Sequence, residues 1–122
     1  MMTLLAILLA LAQAPTHLAV KPWTGSDFQV TSNTAAKYRL EVSGKPNATV
    51  SLRALGVAQG WLAAFCTPKL CSPQRVDVQL PQSGQAIVQF ELIREAENAP
   101  KESGAVIADN NGVSVQVPAA YR

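Results

Sequence analysis

Cys66 and Cys71 are the two residues whose chemistry the sequence constrains most closely. Four residues separate them, in a segment that reads FCTPKLCSP. Catalytic thiol pairs favour a C-x-x-C spacing at a helix N-terminus, where the helix dipole lowers the thiol pKa. The spacing here is wider and the surroundings are strand and loop. In an exported chain an even cysteine count indicates a disulfide. We therefore predict a bond that holds an inter-strand loop in one shape, with no free thiol in the mature protein.

The sequence offers few ligands for a metal ion. Structural zinc takes four protein ligands, and catalytic zinc takes three and a water. A blue-copper site takes two histidines, a cysteine and usually a methionine. His17 is the only histidine, and both methionines lie at the start of the chain. We predict no metal and no cofactor, and we interpret His17 as a solvated linker residue that precedes every strand.

The carboxylates are candidates for acid–base chemistry without a histidine. Glu41, Asp77 and Glu91 occupy positions that the strand pattern directs outward, and outward carboxylates usually keep a protein soluble. Three further carboxylates share one polar loop, which runs from residue 95 to 104: Glu95, Glu97 and Glu102. A glycosidase places its two carboxyl groups in a cleft that holds the sugar, and a small sandwich rarely has such a cleft. We predict no catalytic residues and no enzymatic activity.

The few aromatic residues allow two interpretations. Trp61 begins the short strand that ends at Cys66, and a Trp near a disulfide is typical of a sandwich core. Alternatively, Trp61 is exposed and forms a sugar-stacking platform with Trp23 or Tyr121. The second interpretation would make the protein a carbohydrate-binding module.

These residues lie in a chain whose apolar residues recur with a period of two, which predicts strands with one buried face. The alternating runs are residues 37–42, 48–54, 75–80, 86–93 and 113–117, with a shorter opening strand at Phe28 and Val30. Turn residues separate the runs, and Asn110-Asn111-Gly112 predicts a type I′ hairpin because Asn-Gly favours two positive φ angles. The pattern predicts an all-β, antiparallel sandwich of about seven strands.

The amino-terminal residues predict export. The first fourteen residues read MMTLLAILLALAQA. The apolar run inside them is too short to cross a bilayer but fits a signal peptide with small residues at its cleavage site. We therefore divide the chain into a signal peptide at 1–14, a lead-in segment at 15–26 and one domain at 27–122. The mature protein is predicted to be secreted or periplasmic, with no membrane span.

Composition excludes one class of partner. The formal net charge is +2 and the basic residues are scattered, so we expect no nucleic acid as a partner. The oligomeric state stays open at this point.

Several short motifs resemble those of a known group of domains: Gly60-Trp61, Phe65-Cys66, Cys71 and the segment LPQSG at 80–84. They resemble the immunoglobulin-like or fibronectin-III-like β-sandwich domains appended to secreted bacterial proteins. The resemblance covers residues 28–117 and implies that fold without any shared active site. It implies a non-enzymatic module that binds or structurally supports another extracytoplasmic protein. The opening and closing strands are candidate edges for that partner, because an edge exposes unpaired backbone groups.

Overall fold

The computed structural model describes residues 16–23 and 35–121, and these form nine β-strands. The strands are β1 (His17–Pro22), β2 (Ala36–Ser43), β3 (Thr49–Leu55), β4 (Trp61–Cys66), β5 (Cys71–Pro73), β6 (Arg75–Gln79), β7 (Gln85–Arg94), β8 (Glu102–Ala108) and β9 (Ser114–Tyr121). No helix within these residues is long and apolar enough to cross a membrane.

The strands form two antiparallel sheets. The five-stranded sheet has the order β1-β2-β7-β4-β5, and the four-stranded sheet has the order β6-β3-β8-β9. The apolar residues of the two sheets join in one core cluster. The prediction of an all-β antiparallel sandwich is therefore confirmed, with nine strands in the described residues instead of about seven.

The core forms because the period-two pattern places alternate residues of each strand on the same face. Leu40, Leu52, Phe90 and Ile107 come from four different strands and are all fully buried. Phe90 lies at the centre of β7, where its ring centroid is 5.0 Å from that of Phe65. Aromatic pairs at this separation add to the stability that their buried area provides.

The chain changes sheets at Gln74, the residue between β5 and β6. Its N–H donates to the carbonyl of Ala63 in the five-stranded sheet, at 2.9 Å. Its carbonyl accepts from the N–H of Ala54 in the four-stranded sheet, at 2.8 Å. Gln74 has a φ of 66°, a left-handed conformation that is uncommon for a residue with a side chain. One residue thus joins the two sheets through its main chain.

The start of the domain differs from the prediction. Residues 15–26 were expected to be a lead-in segment, but β1 lies within them and pairs with β2 from His17 opposite Ser43 to Pro22 opposite Tyr38. His17 is therefore the first residue of a strand and not a linker residue. The predicted signal peptide at 1–14 and the opening strand at Phe28 and Val30 lie outside the described residues.

Two predictions at the end of the chain also differ. The polar loop was expected to reach residue 104, but β8 already begins at Glu102. The turn at 110–112 has a positive φ at Gly112 alone, so it is not a type I′ turn. The side chain of Asp109 explains the difference, because its Oδ1 accepts hydrogen bonds from the N–H groups of Asn111 and Val113, each at 2.9 Å. A three-residue loop closed by a left-handed glycine is a common hairpin alternative.

Candidate functional site

The predicted disulfide between Cys66 and Cys71 is present. The two cysteines lie opposite each other where the β4–β5 pairing ends, with their Cα atoms 3.9 Å apart. The next pair closes the hairpin, because the N–H of Thr67 donates to the carbonyl of Leu70 at 2.8 Å. The described residues include no free cysteine. The bond is compatible with an extracytoplasmic location, where thiols are oxidised.

Removing this disulfide is expected to lower the free energy of unfolding by about 2 kcal/mol, because the closed loop is short and constrains the unfolded chain only modestly. The Cys66→Ala/Cys71→Ala variant, compared with the wild type by urea unfolding, tests this value. The oxidised and reduced wild-type proteins serve as the matched pair. A loss above 4 kcal/mol would contradict a purely local role for the bond.

The carboxylates of the described residues do not gather in one group. Glu41 lies on the outer face of β2, where its carboxylate contacts Lys21 Nζ at 3.0 Å and Arg39 Nε at 3.2 Å. The hydrogen bonds from Lys21 and then Arg39 lower the pKa of Glu41 below its ordinary value. Asp77 accepts a hydrogen bond from the hydroxyl of Ser51 at 2.8 Å. These contacts give both carboxylates structural partners on the sheet surfaces.

Glu91 was predicted to be solvated, and this is wrong. It lies on the outer face of β7, as the alternation indicates, but it is fully buried. Its Oε1 accepts a hydrogen bond from Gln89 Nε2 at 2.8 Å, and Gln89 is also fully buried. Glu91 has cross-strand neighbours on both sides, Lys37 of β2 and Ala64 of β4, whereas the exposed Ile87 lies beyond the end of the pairing with β4.

The structure separates the three aromatic candidates by their exposure. Trp61 is buried, and its indole N–H donates to the carbonyl of Pro100 at 2.7 Å, at the opposite end of β4 from the disulfide. Trp23 is half-buried after β1, and Tyr121 is exposed at the end of β9. Because Trp61 has no open ring face, a sugar platform would have to form without it.

Gly60 explains the Gly-Trp motif. It has a φ of 86°, and a Cβ atom at this position would lie 2.6 Å from the Cβ of Ala99. Its carbonyl accepts from the N–H of Glu95 at 2.9 Å, which aligns β4 with the end of β7. Glycine is required here by both its conformation and the close approach.

No group of three or more His, Cys, Asp or Glu residues within 16–23 and 35–121 could hold a metal ion. Among the described strands, β6 and β9 form the two edges of the four-stranded sheet, as β1 and β5 do in the five-stranded sheet.

The β9 edge exposes main-chain groups over its first half. The N–H of Asp109 donates to the carbonyl of Val113, and the pairing continues to Ala105 opposite Val117. Along an antiparallel strand the main-chain N–H and C=O groups of successive residues point to opposite sides. Those of the odd-numbered residues 113, 115 and 117 therefore face β8, and those of Ser114 and Gln116 face away from it. Further along, the carbonyl of Pro118 accepts from the hydroxyl of Tyr38 at 3.0 Å. No described strand pairs with β9 on this side.

The β6 edge lies beside an apolar cleft. Main-chain hydrogen bonds flank the β3–β6 pairing at both ends: the N–H of Leu80 donates to the carbonyl of Ala48, and the N–H of Ala54 donates to the carbonyl of Gln74. The even-numbered residues of β6 are therefore the ones whose main-chain groups face β3. The main-chain groups of the odd-numbered β6 residues therefore face away from β3. The cleft occupies the open side of the sandwich between β6 and β7, and its apolar lining is formed by six residues: Leu70, Val76, Val78, Ala86, Ile87 and Val88.

The disulfide hairpin forms one end of this cleft. Leu70 at its tip is 51% exposed, and Ile87 on β7 is 38% exposed. On β7 the pairing with β4 ends at Gln89, so residues 85–88 have no neighbour on that side among the described strands. This surface was not predicted from the sequence, in which the apolar Leu70 inside a polar loop was its one signal.

Comparisons with known proteins give a fold and no family. No family model and no curated protein matches the sequence. The crystal structure of a FixG-related protein from Vibrio parahaemolyticus is similar, with a TM-score of 0.52 and 12% sequence identity. The match covers 88% of this chain and 96% of that chain. At this identity the likeness extends to the β-sheet fold alone.

Proposed function

We propose that this chain is a secreted or periplasmic, non-enzymatic immunoglobulin-like module that binds or structurally supports another extracytoplasmic protein. The open half of the β9 edge is the single observation that carries the proposal. The main-chain groups of Ser114 and Gln116, which no described strand pairs, can bind a strand of the partner, which is the recognition mode of many sheet-edge binders.

The strand order supports the immunoglobulin-like part of the proposal. Strands β1-β2-β7 and β3-β8-β9 follow the same spatial order as A-B-E and C-F-G in immunoglobulin domains. The β4–β5 hairpin lies beside β7, as strand D lies beside strand E. The additional strand β6 follows this hairpin in the chain and lies beside β3 in the other sheet. The contacts of Glu41, Asp77 and Glu91 support a structural role for these carboxylates rather than a catalytic one.

The experiment uses a photo-crosslinking amino acid in place of Ser114, in the protein expressed in its native host. We expect one extracytoplasmic protein to be crosslinked repeatedly. The matched control carries the crosslinker at Lys45, an exposed residue of the turn between β2 and β3 that lies on neither edge strand of the four-stranded sheet.

Gln116→Pro then tests the pairing mode. Proline removes the N–H that faces the open edge and leaves the hydrogen bonds to β8 in place. We expect about a tenfold loss of the crosslinked product, which corresponds to one main-chain hydrogen bond. Gln116→Ala should retain the product. No recurrent partner, or equal loss with both variants, would refute the proposal.

A further inference from the structure

We propose that the β6 edge pairs with the β6 edge of a second copy of this chain, in an antiparallel register that places Arg75 of each copy opposite Asp77 of the other. The inference goes beyond the proposed function, because it concerns the other edge of the four-stranded sheet. Three features of this edge support the pairing: main-chain groups that no described strand pairs, its charges and the cleft beside it.

The main chain of β6 offers the necessary hydrogen-bonding groups. Arg75 and Asp77 direct their N–H and C=O groups away from β3, and no described strand lies there. An antiparallel pair with Arg75 opposite Asp77 brings these outward groups together on both sides of a two-fold axis. The axis passes between the two copies of Val76, which stand opposite each other.

Only this register places each charged residue of β6 opposite a residue of opposite charge in the second copy. Pairing Asp77 with Asp77, or Arg75 with Arg75, would place like charges directly opposite, and such pairs are destabilising. Pairing Arg75 with Asp77 gives two opposite-charge pairs. It is the arrangement that the order Arg75-Val76-Asp77 permits when one strand is reversed against its copy.

Within one copy, Arg75 already has an unfavourable neighbour. It lies opposite Arg53 of β3, and both side chains are exposed. No carboxylate of the described chain forms an ion pair with either arginine. Asp77 of a second copy would lie on the other side of Arg75, on the same face of the sheet. Dimerisation therefore offsets a like-charge contact that the monomer retains.

The cleft gives the apolar part of the interface. Val76 and Val78 point toward the cleft, opposite Ala86 and Val88 of the other sheet. The second copy would place its own Val76 over this opening and cover the exposed Leu70 and Ile87. The two four-stranded sheets would then form one continuous sheet, with a β9 edge left open at each end.

The first experiment measures the oligomeric state of the oxidised protein by analytical ultracentrifugation over a range of concentrations. We expect the wild type to dimerise, and Arg75→Asp and Asp77→Arg each to raise the dissociation constant at least about tenfold, because each variant sets like charges opposite. Lys101→Asp and Glu97→Arg make the same changes of charge at exposed loop positions and should remain dimeric.

The decisive result comes from mixing the two single variants. Arg75→Asp presents two acidic residues and Asp77→Arg presents two basic residues, so an equimolar mixture should form a heterodimer although each variant alone is monomeric. The Arg75→Asp/Asp77→Arg double variant should dimerise with itself again. A monomeric wild type, a mixture that stays monomeric, or single variants that remain dimers would each overturn the proposal.

A second measurement does not depend on charge. Val76→Cys places two cysteines opposite each other across the axis, at a Cα separation of about 4.5 Å that a disulfide can span. Mild oxidation should give a covalent dimer of this variant and none of Lys101→Cys. Equal crosslinking of the two variants, or none with Val76→Cys, would overturn the proposed register. The photo-crosslinked product formed at Ser114 on the β9 edge should be the same whether or not the β6 edges pair, so the two proposals can fail separately.

Discussion

Replacing Phe90 by alanine is expected to lower the free energy of unfolding by about 3–5 kcal/mol, the range for removing a large aromatic side chain from a packed core. Phe90 is fully buried on the central strand of the five-stranded sheet, and its ring packs against those of Phe65 and Tyr38, with centroids at 5.0 and 6.3 Å. The variant loses buried area and leaves a cavity where two strands meet the opposite sheet. Urea unfolding of the oxidised protein measures the change.

Ile87→Ala is the matched control on the same strand. Ile87 is partly exposed on the outer face of the monomer, so at a protein concentration that keeps the chain monomeric its truncation removes less buried area and should cost about 1 kcal/mol or less. If Phe90→Ala and Ile87→Ala destabilised the protein equally, Phe90 could not lie in the core between the sheets.

The second large effect is expected at the buried polar pair on β7. Glu91→Leu removes the acceptor that lies 2.8 Å from Gln89 Nε2 and leaves the amide of Gln89 in a buried place. Removing one hydrogen-bond partner from a buried polar group costs about 1–3 kcal/mol. The variant should therefore unfold at a lower urea concentration with an unchanged dependence on urea, since the fold stays the same.

A double-mutant cycle separates this pair from its surroundings. Gln89→Leu/Glu91→Leu removes donor and acceptor together, so it should be less destabilising than the sum of the two single variants. The difference is expected to be at least about 0.5 kcal/mol, the lower limit for residues in contact. Strict additivity would mean that the hydrogen bond contributes nothing to stability.

The sequence by itself predicted the class of fold and the positions of most strands. Alternation in 37–42 and 86–93 predicted the strands that became β2 and β7, and each strand extends one residue beyond the prediction at both ends. The even cysteine count of a chain predicted to be exported indicated the bond between Cys66 and Cys71. These features are local, since a strand's alternation and a short loop's closure depend on residues that are neighbours in the chain.

Predictions that depended on one local signal were weaker. Asn-Gly at 111–112 favours a type I′ turn, but the neighbouring Asp109 accepts two hydrogen bonds and stabilises a different loop. The polar composition of 95–104 concealed the start of β8. It also concealed the contacts of Arg94, whose guanidinium donates to the carbonyls of Glu97 and Ala99 at 2.6 Å each.

Only the tertiary structure decided which strands lie at the edges of the sheets. Glu91 and Asp77 both follow the outward alternation, yet Glu91 is buried on a central strand and Asp77 is exposed on an edge strand. Alternation reports the face on which a side chain lies, whereas burial and an open edge depend on strands that are distant in the chain. The surfaces proposed for binding, at β9 and β6, exist because the sheet order leaves one side of each strand without a neighbour among the described strands.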